Sequence, residues 1–352
     1  MAGKEIPGQA VAYPGQESDF WYSLRRSVPA LDAAIGHLVR LSGGFQAETE
    51  PAAQDYLAEI TSQISVDGTR QGLSAFADSY LEQLLTCGTA VGELSAAVQD
   101  GRIVPLLSNV PLRAVALRRT MSGAEICAVG KDGAMLPLKH PEHVFLSVLS
   151  PIPGSLCGTS LLAGLDGPAG AFVQILDTVK RNWERLGSVR YHVSTHADTA
   201  GGAPAAARAG QLAERWRECM RTEGAPPQDF ITTGNVEIKV IGAECRLPDC
   251  AVPIRTLLEQ MVAKTGLPPF LLGLQWGTAD RLGTAQLDLL TTGIESYRRI
   301  LTPVLVRICR CLLQLAGFCS DVSILWEDVS LKDTVETAKA ALLRAQTQAL
   351  LQ

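Results

Sequence analysis

The sequence predicts an α+β fold, and three observations support this prediction. Apolar residues recur at three- and four-residue steps in the first 90 residues and again after residue 250, a spacing typical of amphipathic helices. Between these regions, short segments alternate apolar and polar residues around Gly and Pro, which is typical of antiparallel strands. Helices and strands do not alternate regularly along the chain, so a doubly wound parallel sheet is not expected.

The first part of the chain is predicted to be helical after a flexible, Gly- and Pro-rich arm at residues 1–19. A helix is predicted from Trp21 to Leu41, ended by Gly43 and Gly44. Two further helices are expected, from Pro51 to Ile64 and from Gly72 to Thr86.

An antiparallel β region is predicted to follow, up to about residue 150. The dipeptides Asp100-Gly101 and Asp132-Gly133 are typical hairpin turns between short strands.

Single strands and helices then succeed one another. The predicted elements are a helix over 169–186, a strand over 188–195, a helix over 205–221, a strand over 235–240, a helix over 253–265, a long helix over 284–316, a strand over 322–326 and a tail helix over 331–351. The long helix is predicted to carry an apolar stripe formed by Leu287, Leu290, Ile294, Tyr297, Leu301, Val304, Ile308, Leu312 and Leu315. Pro303 lies well inside this helix. Because it has no N–H and crowds the carbonyl of Arg299, we expect a kink there.

Composition and charge exclude several classes of protein. The net charge of −5 and a pI of about 5.6 argue against tight binding of duplex DNA, which normally needs a basic surplus. The N-terminus lacks a signal-peptide core, and the most apolar stretch is interrupted by Arg307 and Arg310, so no membrane span is expected. The nine cysteines include no C-x-x-C pair and are predicted to be free, mostly buried thiols.

A search for catalytic and metal-binding motifs finds none, so we predict no enzyme, no cofactor and no metal. The phosphate-binding, serine-hydrolase and zinc-protease patterns are missing from the sequence. Three weaker alternatives remain: a metal site at His140, Glu142 and His143, a zinc site on three cysteines, and a nucleophilic Cys157. The three cysteines are Cys309, Cys311 and Cys319. The first candidate site lies in a turn broken by a proline, and two of the three cysteines are only two residues apart on a predicted helix. Neither arrangement directs the side chains towards a single metal ion.

The order of elements resembles that of the portal proteins of tailed bacteriophages. The segment PIPGSLCGTSLLAGL resembles the one that opens the first stem helix of that family. The best match is the sequence GLPPFLLG, in which the motif residues are Gly266, Pro268, Pro269 and Gly273. A long helix containing Pro303 follows, as in that family. The similarity covers roughly residues 20 to 317.

The resemblance implies a portal-like fold with a wing of helices and antiparallel strands, a helical stem, a small clip and a reduced C-terminal crown. The implied layout is an arm at 1–19, a first wing part at 20–158, a stem helix at 159–186, a clip at 187–203, a returning stem helix at 204–223, a second wing part at 224–317 and a short crown at 318–352.

The resemblance also implies function. It predicts a homo-oligomeric ring, usually dodecameric, at the portal vertex of a virion assembled in the bacterial cytoplasm. The ring conducts double-stranded DNA and docks the terminase large subunit, the head–tail adaptor and the major capsid protein. A tunnel loop is implied at 275–283, with Trp276, Thr278, Asp280 and Arg281 lining the channel.

The clip residues Arg190, His192 and His196 are then expected to contact partners. Arg298, Arg299, Arg307 and Arg310 on the long helix are expected to form ion pairs between subunits or to meet solvent. Two other hypotheses stay open: an enzyme with an unrecognised pocket, and a different virion adaptor or scaffold protein.

Overall fold

The computed structural model describes residues 11–99, 102–121, 123–187, 190–195, 210, 213–214, 236–241, 249–274 and 280–329. It contains helices together with antiparallel and mixed sheets, which confirms the α+β prediction. The chain divides into two compact units, residues 1–171 with 255–352, and residues 172–254. Within the described residues, no helix combines the length and apolar character needed to cross a membrane.

The helices are α1 Ser18–Ser27, α2 Pro29–Leu41, α3 Pro51–Gln63, α4 Leu73–Cys87, α5 Asp166–Gly187, α6 Ala251–Thr265 and α7 Asp280–Leu315. The strands are β1 Val11–Ala12, β2 Phe45–Glu48, β3 Ser65–Val66, β4 Arg70–Gln71, β5 Thr89–Gln99, β6 Arg102–Asn109, β7 Val115–Thr120, β8 Gly123–Val129, β9 Met135–Pro137, β10 Val144–Val148, β11 Arg190–Thr195, β12 Val236–Ile241 and β13 Ser323–Trp326.

The first predicted helix is in fact two helices, so that prediction was wrong. Val28 adopts an extended conformation, with φ −124° and ψ 100°, between α1 and α2. Pro29 explains the break, because its ring disfavours helical geometry in the preceding residue. Val28 is fully buried and anchors the junction in the core.

Part of the predicted N-terminal arm is a strand. Val11 pairs with Arg118 and Ala12 pairs with Leu117, so β1 forms the edge of the sheet β1-β7-β8-β9. The periodicity of the segment could not predict this pairing, because two residues are too few to display an alternation.

The main core lies where α4 packs on β5. The side chains of Phe76 and Tyr80 are fully buried, with ring centroids 5.3 Å apart. Gly92 on β5 lies so close that a Cβ there would come within 2.6 Å of Cζ of Phe76. A glycine is therefore required for the strand to approach the rings.

The predicted β region is confirmed as antiparallel strands. β5 pairs with β6 from Gly92↔Asn109 to Gln99↔Arg102, around the turn predicted at residues 100 and 101, which themselves lie outside the described residues. β8 pairs with β9 around the turn at Asp132 and Gly133, and Gly133 has a φ of +79°. The larger sheet has the order β10-β5-β6-β3-β4, with β3 parallel to β6.

The C-terminal strand β13 was predicted, but its partner β2 was not. The two strands pair antiparallel, with Phe45 opposite Trp326 and Glu48 opposite Ser323. The segment Phe45–Glu48 is only four residues long and follows a predicted helix end, so the sequence carried little signal for it.

In the second unit, β11 and β12 form an antiparallel ribbon. The predicted helix over 205–221 lies almost entirely outside the described residues, and the predicted tail helix over 331–351 lies wholly outside them. The layout of wing, stem, clip and crown therefore stays a prediction.

Candidate functional site

The long helix α7 organises the larger unit. It packs against α3, α4, β10 and β13. Six residues of the predicted apolar stripe are buried, namely Leu290, Ile294, Leu301, Val304, Ile308 and Leu312. Leu315, also predicted to belong to the stripe, is 51% exposed because it lies in the last turn of the helix.

The helix continues through Pro303, which deprives the carbonyl of Arg299 of its usual N–H donor. The residue before it, Thr302, takes part in two hydrogen bonds. The hydroxyl of Thr302 donates to the carbonyl of Arg298 at 2.7 Å and accepts a 2.9 Å hydrogen bond from Nε1 of Trp326. Strand β13 thus contacts the helix beside its proline.

Arg298 is a buried arginine, which the sequence did not suggest. Its Nε donates to the carbonyl of Ser42 at 2.9 Å, and its guanidinium lies over the ring of Trp326. Nη2 has no hydrogen-bond partner, and desolvation lowers the pKa of the group. Arg298 therefore joins the end of α2, the middle of α7 and strand β13.

Two further arginines of α7 contact residues outside that helix. Arg307 donates to the carbonyl of Glu142 at 2.6 Å and lies 5.1 Å from the ring centroid of Phe145. Arg310 forms a 3.0 Å ion pair with Asp321. Arg299, Arg307 and Arg310 are exposed, which agrees with the expectation that these arginines meet solvent, whereas the buried Arg298 departs from it.

The sequence GLPPFLLG ends α6 and forms the first part of the connection to α7; this segment is called the stop motif. Gly266 follows α6 with φ +70°, and Gly273 ends a short 3-10 turn over Pro269–Leu272 with φ +73°. Nothing lies within 4 Å of a Cβ built at either glycine, so the backbone conformation is what demands glycine here. The extended Pro268 precedes the turn, and Leu267 is buried.

The loop before α5 is hydrogen-bonded to the junction of α4 and β5. The N–H of Gly158 donates to the hydroxyl of Thr89 at 3.0 Å, and the hydroxyl of Ser160 donates to the carbonyl of Thr86 at 2.6 Å. A Cβ on Gly158 would overlap the carbonyl oxygen of Gly88. The segment PIPGSLCGTSLLAGL therefore has a structural role, because its backbone packs directly against the backbone at the junction of α4 and β5.

The predicted channel residues are only partly described. Trp276 and Thr278 lie outside the described residues. Asp280 and Arg281 belong to the first turn of α7 and not to the predicted loop, because the helix begins four residues earlier than its apolar stripe suggested.

The predicted clip residues lie partly on the ribbon of the second unit. Arg190 is opposite Ile241 and His192 is opposite Lys239 in the register of the ribbon, while His196 lies outside the described residues.

The described residues contain no group of three or more ligating side chains arranged to hold a metal ion. Glu142 contacts His140 at 3.0 Å and His143 at 3.9 Å, and His140 and Glu142 are exposed whereas His143 is half-buried. The backbone N–H of Glu142 and the ring of His140 lower the pKa of this carboxyl. Of the proposed zinc cysteines, Cys309 is buried whereas Cys319 is exposed.

Cys157 lines a hollow of about 270 Å³ together with Cys87, and this hollow has no histidine in its lining. Burial raises the pKa of the Cys157 thiol, and the charge of Glu17 raises it further. A thiol kept protonated in this way is a poor nucleophile.

No protein-family model matches the chain. No curated protein matches it either. Solved structures do match, and they are chains of gene transfer agent particles and of a phage portal protein. A chain of the virion of a native gene transfer agent particle matches with a TM-score of 0.63 and 12% identity, over 97% of this chain and 91% of that chain.

A chain from the neck of the native gene transfer agent particle, computed with C12 symmetry, matches with a TM-score of 0.60 and 13% identity, over 96% of this chain and 90% of that one. An HK97-family phage portal protein from Corynebacterium diphtheriae matches with a TM-score of 0.44 and 12% identity, over 91% of this chain and 96% of that chain. The fold of this protein is therefore shared with a subunit of the gene transfer agent particle.

Proposed function

We propose that the protein is a portal-type subunit, which forms a ring at the vertex of a phage or phage-like capsid and conducts DNA during packaging and ejection. The observation that carries the proposal is the shared fold over nearly the whole chain with a chain of the gene transfer agent virion. The stop motif at residues 266–273 and the proline-containing helix α7 support it independently of that comparison.

The ring is proposed to be a homo-oligomer of twelve copies. The related neck was computed with C12 symmetry, and a closed ring needs two different surfaces of one subunit to contact each other. In a single chain these surfaces remain exposed. Helix α5 carries exposed apolar side chains of this kind. Trp183 is 62% exposed, and Leu176, two helical turns earlier on the same face, is 43% exposed.

Double-stranded DNA is the proposed cargo, passing through the ring without tight binding. The net charge of −5 fits a channel along which phosphates must slide. We assign the DNA-facing tunnel to residues 275–283, which include Trp276 and Thr278 as well as Asp280 and Arg281 at the start of α7. ATP hydrolysis is left to a separate motor, the terminase large subunit.

The partner surface is proposed to be the clip, around Arg190, His192 and His196. The terminase and then the head–tail adaptor dock there, and the major capsid protein surrounds the wing. In this proposal, residues 20–158 and 224–317 form the wing, 159–186 and 204–223 form the stem, and 318–352 form a short crown.

The experiment is light scattering and negative-stain imaging of the full chain, alone and coexpressed with capsid and scaffolding proteins. A dodecamer of 37.5 kDa chains has a mass of about 450 kDa and shows an axial hole. Gel retardation is expected to detect no tight duplex binding at physiological salt. A chain that remains monomeric both alone and with those nucleating proteins contradicts the proposal.

A further inference from the structure

The hairpin of β5 and β6 extends beyond its sheet. β10 pairs with β5 only from Thr89 to Glu93, and β3 pairs with β6 only at Leu106 and Leu107. Residues 94–99 of β5 therefore pair only with residues 102–107 of β6 among the described strands, and of these β6 residues only Leu106 and Leu107 also pair with β3. This two-stranded extension is called the hairpin tip.

One face of the hairpin tip is apolar along its length. Leu94 lies opposite Leu107, and both side chains are buried. Four residues further along β5, Val98 lies opposite Ile103 on the same face, and these side chains are 78% and 65% exposed. An apolar row thus begins in the core and ends in solvent.

The edge of the hairpin tip also lacks the usual protection. Edge strands that face water commonly carry charges or proline to prevent pairing with another chain. On β6, Pro105 serves this purpose, but the segment Leu94 to Gln99 of β5 contains neither a charge nor a proline. This side of the hairpin is therefore open to a strand or an apolar surface of another molecule.

We infer that the hairpin tip docks on a second copy of this chain in the assembled ring. The inference rests on the proposed function, because a ring obliges every subunit to contact an identical neighbour. A DNA partner does not fit, since the tip has only Asp100 and Arg102 as charges, and they have opposite signs. Permanent contacts between identical subunits are the more apolar class of interface, and the row ending in Val98 and Ile103 matches that class.

The first test places the photo-cross-linker p-benzoylphenylalanine at position 98 of the full chain. Rings are assembled from a mixture of chains labelled with light and heavy nitrogen and are then irradiated. The expected product is a covalent dimer whose cross-linked peptides combine light and heavy chains, which identifies contact between copies. Cross-links confined to single chains, in rings that have assembled, overturn the inference.

The second test compares two double variants. Val98→Asp with Ile103→Asp is expected to raise the concentration for half-assembly at least tenfold, whereas Val98→Thr with Ile103→Thr, which keeps the β-branched shape, has a smaller effect. Both side chains are exposed, so the monomer should stay folded in both variants, but the Asp pair should lower its unfolding midpoint slightly because two like charges lie directly opposite each other. Assembly is therefore compared at a temperature well below both midpoints. A ring that assembles normally with the Asp pair overturns the inference and leaves the proposed function standing. Failure of the unaltered chain to form any ring overturns both.

Discussion

The guanidinium of Arg298 lies over the indole of Trp326, with Cζ 5.0 Å from the ring centroid. The indole also packs against Phe45, with ring centroids 5.1 Å apart. The arginine is only 8% exposed, so its charge is stabilised by the ring face, by the carbonyl of Ser42 and by the nearby carboxylates of Glu295, Glu327 and Asp328.

Arg298→Ala should lower the free energy of unfolding by about 2–4 kcal/mol, because it removes a buried hydrogen bond and leaves a cavity beside the indole. Urea unfolding followed by tryptophan fluorescence measures the change. The matched control is Arg299→Ala, an exposed neighbour for which a change within about 0.5 kcal/mol is expected. Equal midpoints for the two variants would show that the Arg298 contacts contribute nothing.

Gly158→Ala should be severely destabilising, because the new Cβ overlaps backbone atoms of Gly88 and Leu149 that cannot move aside independently. A loss of about 2–4 kcal/mol is expected in urea unfolding. The control is Gly170→Ala in α5, where nothing lies within 4 Å and alanine favours the helix by about 0.5–1 kcal/mol. Similar effects at the two positions contradict the close approach.

Gly273→Ala should cost about 1–2 kcal/mol, since the site has room for a Cβ but a φ of +73° disfavours one. Gly273→Asn is expected to cost less, because asparagine tolerates the left-handed conformation better. Thermal unfolding of the three proteins should therefore rank glycine above asparagine and asparagine above alanine. An alanine variant as stable as the parent would contradict the conclusion that the backbone conformation at Gly273 requires glycine.

Trp183→Ser tests whether α5 contributes to the proposed ring. The side chain is 62% exposed, so the stability of the monomer should stay nearly constant while ring assembly weakens by roughly tenfold or more. Light scattering across a concentration series measures assembly, and thermal unfolding checks the fold. Glu184→Gln, also at an exposed position of α5, is the control and should assemble normally. Unchanged assembly of the serine variant excludes Trp183 from the interface.

Burial raises the pKa of the Cys309 thiol to about 12 from an ordinary value of 9.0. In the unfolded chain the thiol ionises near pH 9, whereas in the folded protein it stays protonated. The folded state therefore holds more protons between these values, and its stability falls as pH rises through that window, by up to about 1.4 kcal/mol per pH unit.

Urea unfolding at pH 8, 9 and 10 measures this dependence, and Cys309→Ala should show a shallower fall. The exposed Cys319 provides the contrast, since it should react with a thiol reagent in the native protein while Cys309 stays protected. A pH profile unaffected by Cys309→Ala contradicts the assignment.

Elements whose signal is local were predictable from the sequence. The apolar periodicity of α3, α4 and α7 places their buried faces, and the hairpin dipeptides locate the turns of the β region. The GLPPFLLG motif likewise predicts its own shape, because proline and glycine act on the backbone of their immediate neighbours. Pro29 is an equally local signal, because a proline disfavours helical geometry in the residue before it, and its effect on Val28 marks the break between α1 and α2.

By itself, then, the sequence determined the α+β class and most helices and strands, and it carried a resemblance with which the fold shared with a gene transfer agent chain agrees. Only the tertiary structure decided that β2 pairs with β13, that Arg298 is buried and that the β5–β6 hairpin leaves Val98 and Ile103 exposed. These features depend on residues far apart in the chain. Periodicity records which residues share a face, but burial depends on what the rest of the chain brings to that face.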